Sequence, residues 1–200
     1  MGRIGLFLLW MLLPQLGWTA TVLVMGDSLS AAYGIPADRG WVALLEERLQ
    51  KEHKDVRFVN ASISGETSAG GLHRFPPLLK THQPDIVILE LGGNDGLRGI
   101  PPQQMERNLA NMIEASRSAG AEVILLGIKM PTNYGPRFAA MFEDVYQRLA
   151  DRHPVTFVPF FLQDVALKDG LMQADGIHPN VEAQPLLAQE VWHALNGMID

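Results

Sequence analysis

Four separated blocks of this chain hold residue types that together can perform acyl transfer. Gly26-Asp27-Ser28 follows an apolar run. Alone it has two readings: an ordinary glycine turn whose Asp or Ser caps a helix, or a serine on a tight turn at a helix entry. In the second, backbone N–H groups favour negative charge near the serine oxygen, as a nucleophile attacking a carbonyl requires. Asp175 and His178 form an Asp-x-x-His pair within Asp175-Gly176-Ile177-His178-Pro179-Asn180. Gly176 permits a turn, Pro179 holds His178 extended and Asn180 can cap the next helix. The carboxylate can then accept from one ring nitrogen, leaving the other to take a serine proton; a surface histidine paired with a nearby acid is the plainer alternative. Gly65 and Asn94 are of the types that donate hydrogen bonds to an oxyanion, through a backbone N–H and a side-chain amide. Both also suit simple turns. The other histidines, at 53, 73, 82, 153 and 193, fall in helical or connecting stretches and read as structural or exposed.

These blocks must be brought together by the elements between them. Thr21–Met25, Arg57–Ala61, Ile86–Leu91, Glu122–Ile128 and Thr156–Val158 read as short strands, four of the five rich in Val or Ile. Helical spacing recurs at Trp41, Leu44, Leu45 and Leu49, at Met105, Leu109, Met112 and Ile113, and at Leu187, Val191, Leu195 and Met198. Strands alternating with helices predict an α/β chain: a five-stranded parallel sheet covered on both faces, a three-layer α/β/α flavodoxin-like fold of strand order 2-1-3-4-5. All carboxyl ends of such a sheet share one edge, where the loops bearing Ser28, Gly65 and Asn94 would meet the Asp175–His178 turn.

Together the blocks resemble the SGNH (GDSL) hydrolase family, named for a Ser, Gly, Asn and His drawn from four blocks in this order. Ser-Gly-Glu-Thr-Ser at 64–68, Leu-Gly-Gly-Asn-Asp-Gly-Leu-Arg-Gly at 91–99, Asn-Tyr-Gly at 133–135 and Asp-Gly-Ile-His-Pro-Asn at 175–180 are similar to its multifunctional thioesterase I, protease I and lysophospholipase subgroup, whose members are exported bacterial enzymes. The resemblance implies Ser28 as nucleophile, His178 as general base and acid, and Asp175 as its orienting partner. It implies an oxyanion hole from the N–H groups of Ser28 and Gly65 and the Asn94 side chain, and cleavage of acyl esters and thioesters without a cofactor or metal. The loop residues Leu97, Ile100, Met130, Tyr134, Pro136 and Phe138 are candidates to line an acyl-chain site.

Composition narrows the field. The chain has 200 residues, 16 Lys+Arg against 22 Asp+Glu, and no cysteine. With a net charge of -6 and no basic run it lacks the field that holds nucleic acid. Lack of cysteine removes disulfides, thiolate metal sites, a cysteine nucleophile and lipid attachment through sulfur. Arg3 and the apolar run Ile4–Leu13 read as a signal peptide over residues 1–20, the run being shorter than the roughly 18–20 residues of a membrane span. The expected product is one domain over 21–200, periplasmic or secreted, neither membrane-inserted nor dependent on a protein partner, acting on a small acyl ester or thioester. Two rivals remain open: a carbohydrate or small-ester deacetylase of the same superfamily, and a noncatalytic exported ligand-binding module of flavodoxin-like shape. Nucleotide or flavin binding is disfavoured, because no Gly-x-Gly-x-x-Gly follows the first strand and Asp27 would repel a phosphate there.

Overall fold

The computed structural model describes residues 19–52, 54–130 and 132–199; most of the expected signal peptide, residues 1–18, lies outside them. Five strands, β1 (Ala20–Gly26), β2 (Val56–Asn60), β3 (Ile86–Glu90), β4 (Glu122–Leu126) and β5 (Thr156–Val158), pair in parallel in the order β2-β1-β3-β4-β5. This is the expected order. β1 begins one residue earlier than expected, where the Ala20 N–H donates to the Asp55 carbonyl.

Both faces of the sheet are covered, so its central strands are apolar without alternation. Val22, Val24, Ile86, Ile88, Ile124 and Leu126 pack under α1 (Trp41–Lys51) and α6 (Gln184–Leu195). Leu23, Met25, Val87, Leu89, Val123 and Leu125 face the opposite layer, made by α2 (Ser68–His82), α4 (Pro102–Ser118) and α5 (Pro136–Arg152), with the one-turn α3 (Gly93–Leu97) between β3 and α4. The spacing expected for α1, α4 and α6 is the spacing of their buried faces: Trp41, Leu45 and Leu49; Met105, Leu109, Met112 and Ile113; Leu187, Val191 and Leu195. Met198 lies beyond α6, packed against the core.

The carboxyl edge of this sheet is tied together by hydrogen bonds between loops. The Ile63 N–H donates to the Gly26 carbonyl at the end of β1 (3.1 Å). Buried Asp95, on α3, accepts from the Ser68 N–H at the start of α2 (2.7 Å) and from the Ser68 hydroxyl. The loops after β1, β2 and β3 thus form one rim.

Candidate active site

Ser28 stands two residues beyond β1, at the start of a turn closed by the Ala31 and Tyr33 N–H groups donating to the carbonyls of Asp27 and Ser28. Its Oγ lies 2.9 Å from His178 Nε2. His178 Nδ1 lies 2.7 Å from Asp175 Oδ2, while Asp175 Oδ1 accepts from the N–H groups of Ile177 (2.9 Å) and His178 (3.0 Å). The latter two bonds hold the carboxylate in a tight turn with the histidine it faces. They and the imidazole hold the Asp175 carboxyl down to about 2, the His178 N–H being the largest cause. An ionised Asp175 fixes the tautomer in which Nδ1 carries hydrogen and Nε2 faces the serine as acceptor. The Tyr33 ring packs against the same imidazole, centroids 4.5 Å apart.

Gly65 sits at φ +80°, where a side chain would be strained, and its carbonyl accepts from Arg98 Nη2 (2.8 Å). Asn94, in the first turn of α3, donates through Nδ2 to Asp27 Oδ2 (2.9 Å). Ser28, Gly65, Asn94 and His178 all line one cavity of about 770 Å³. Among the described residues neither the Ser28 nor the Gly65 N–H donates to another backbone carbonyl. The arrangement can therefore pass a serine proton to an imidazole while presenting donors from three loops to a developing oxyanion.

Of the residues proposed for the acyl chain, Leu97 and Met130 line the cavity, whereas Ile100, Tyr134, Pro136 and Phe138 do not. Pro136 and Phe138 belong to the first turn of α5, where Phe138 packs on Phe142, and Tyr134 is exposed outside the cavity. The apolar wall comes instead from the stretch after β5, through Phe160, Leu162, Ala166, Leu167 and Met172, with Leu29 and Tyr33 from the turn that carries Ser28. Sequence reasoning missed this wall, and it missed Asp27, which is 2% exposed and anchors Asn94. Burial pushes the Asp27 carboxyl up to about 6, against opposing hydrogen bonds from the Leu29 N–H and Asn94. Among the described residues no cluster of three or more His, Asp or Glu side chains could hold a metal ion.

Residues 24–185 match the model of the GDSL-like lipase/acylhydrolase family. The chain belongs to that family. It is 53% identical over 188 residues to "Esterase TesA" of Pseudomonas aeruginosa, covering 94% of each chain. It is 47% identical over 180 residues to "Thioesterase 1/protease 1/lysophospholipase L1" of Escherichia coli K12, covering 90% of this chain and 85% of the other. Among solved structures, the psychrotrophic esterase EstA from Pseudoalteromonas sp., in a form inhibited by monoethylphosphonate, superposes with a TM-score of 0.85 at 43% identity, over 89% of this chain and 97% of the other. As a GDSL-family member with such relatives, this protein is a serine ester hydrolase.

Proposed function

We propose that Ser28 is the nucleophile of this hydrolase, that His178 is its general base and acid, and that Asp175 orients the imidazole. The observation that carries this reading is the continuous chain from Ser28 Oγ through both ring nitrogens of His178 to Asp175 Oδ2, at 2.9 and 2.7 Å. Ser28 Oγ bonds to the acyl carbon as its proton moves to Nε2, and the N–H groups of Ser28 and Gly65 with the Asn94 amide receive the oxyanion. Collapse breaks the bond to the leaving alcohol or thiol, which takes the proton from His178. Water, deprotonated by His178, then releases the acid and restores Ser28.

The substrate of this reading is an acyl ester or thioester with a medium or long chain, since the 770 Å³ cavity is lined mostly by apolar side chains and an acetyl group would leave most of it empty. The names of the Escherichia coli relative support thioesters and lysophospholipids as substrate classes. Residues 1–20 are proposed as a cleaved leader and 21–200 as the exported, periplasmic or secreted, hydrolase domain. Among the described residues no helix is long and apolar enough to cross a membrane. N-terminal sequencing of the protein from the cell envelope tests the leader, and an intact Met1 on a cytoplasmic product contradicts it. For the chemistry, a serine-directed fluorophosphonate should add to Ser28 in step with loss of esterase activity, and Ser28→Ala should abolish both. A fully inhibited enzyme carrying its adduct on another residue would refute the assignment.

A further inference from the structure

Glu90 is a carboxyl group where the fold has no evident place for one. It ends β3, a strand whose five residues are all buried, and is itself 0% exposed. Its Oε2 accepts from the Asp27 N–H (3.2 Å) and the Ser30 hydroxyl (2.7 Å), while Oε1 is buried with no partner among the described residues. Among the described residues no cation is paired with it. One oxygen thus holds the chain on both sides of Ser28, one residue before and two after. The approach is close enough that a Cβ on Gly26 would lie 2.8 Å from Oε2 and 2.7 Å from Ser30 Oγ, so glycine at 26 makes room for this contact. A charge-bearing residue inside an otherwise apolar strand breaks the local pattern, as is expected where function sets the residue.

We propose that Glu90 is a positioning residue of the reaction: resting on the reading that Ser28 is the nucleophile, its buried carboxyl aims Ser28 Oγ by holding the Asp27 N–H and the Ser30 hydroxyl from the end of β3. The same residue ties the nucleophile turn to the strand that leads into Asn94, four residues on, so both are set from one rigid element. Glu90 does this as a neutral acid. An unpaired buried carboxylate beside the Asp27 carboxylate is strongly disfavoured, and burial together with the Asp27 charge pushes Glu90 well above the usual carboxylate range. What matters is therefore an acceptor of the right reach, with no charge needed.

Two substitutions separate reach from charge. Glu90→Gln keeps the length and a neutral acceptor; Glu90→Asp keeps the acid but is one methylene shorter. For each, kcat and KM on a chromogenic ester, the rate of fluorophosphonate addition to Ser28 and the melting temperature are measured. Glu90→Gln should retain kcat within about threefold. Glu90→Asp should lose on the order of ten- to a hundredfold in both kcat and phosphonylation rate, as small misplacements of reacting groups do, with KM within about twofold. Equal, near-wild-type rates in both variants overturn the proposal, as does Glu90→Gln failing as badly as Glu90→Asp, or a loss confined to KM or melting temperature. Failure of the underlying reading looks different: wild-type enzyme would then carry no adduct on Ser28.

Discussion

The Asn94 carboxamide is clamped by Asp27, its Nδ2 lying 2.9 Å from a carboxylate oxygen that is itself buried. One amide hydrogen is taken by that bond, and the other is left for the cavity that Asn94 lines. A donor fixed before substrate arrives needs no reorganisation when negative charge develops, so it acts mainly on the transition state. Asn94→Ala should lower kcat on the order of 10²–10³-fold with KM little changed. Steady-state kinetics on one ester, with melting temperature on the same preparation, decide it: near-normal kcat with lower stability would reduce Asn94 to a turn residue.

Asp27 makes stability depend on pH. Its folded-state value, about 6, lies above the ordinary 3.8 because burial disfavours the charge. A raised carboxyl contributes stability that is fully present below the unfolded value and is lost as pH rises through about 6. The loss is bounded at roughly 3 kcal/mol by the size of the shift and is shared with neighbouring Glu90. Between pH 5 and pH 8 the wild type should therefore lose stability relative to Asp27→Asn. Paired thermal melts at the two pH values test the sign; a wild type that gains on the variant with rising pH contradicts it.

The strands and the four blocks were legible in the sequence for physical reasons that differ. β3 and β4 announce themselves because burial on both faces demands apolar runs, here Ile86–Leu89 and Val123–Leu126. Ser28, Gly65, Asn94 and His178 come together because a parallel sheet delivers its carboxyl ends to one edge. α2 was hidden: Gly70, Gly71, Pro76 and Pro77 all lie inside it, against helix propensity, and packing against β1 and α4 overrides that. α5 carries a signal too, in Ala139, Phe142, Val145, Tyr146 and Leu149, its buried face, and Pro136 and Phe138 belong to its first turn and not to a loop. The wall from Phe160 to Met172 has no regular period, because it forms no long helix or strand.

Asp175 should matter through the tautomer it imposes. Its carboxyl is held down to about 2, so it stays ionised throughout the neutral range, and any contribution to stability is present above the unfolded value and lost only as pH falls toward 2. Asp175→Asn can keep the turn by accepting from Ile177 and His178 through Oδ1, but it then presents an N–H to His178 Nδ1. That favours the ring form with hydrogen on Nε2, which cannot accept the Ser28 proton. A fall in kcat on the order of 10³–10⁴-fold with little change in melting temperature is expected. Retention of a tenth or more of wild-type turnover would remove Asp175 from the catalytic chain.

Leu167 tests where the acyl chain runs. It lines the cavity yet is 95% exposed in the free enzyme, so it contributes almost nothing to folding and has a full side chain of apolar surface available to a ligand. Burying a leucine side chain completely is worth about 1.5–3 kcal/mol, and a chain lying along one side of it would gain a part of that. Leu167→Ser should leave the melting temperature within a degree or two and leave kcat/KM for an acetyl ester unchanged. For a chain long enough to reach Leu167, it should raise KM severalfold, to about tenfold, with kcat less affected because the contact is made equally in ground and transition states. A series of p-nitrophenyl esters of increasing length measures this directly, and the effect should appear only past a threshold length. If the variant loses equally on acetyl and long-chain esters, or on neither, the acyl chain does not follow the wall built after β5.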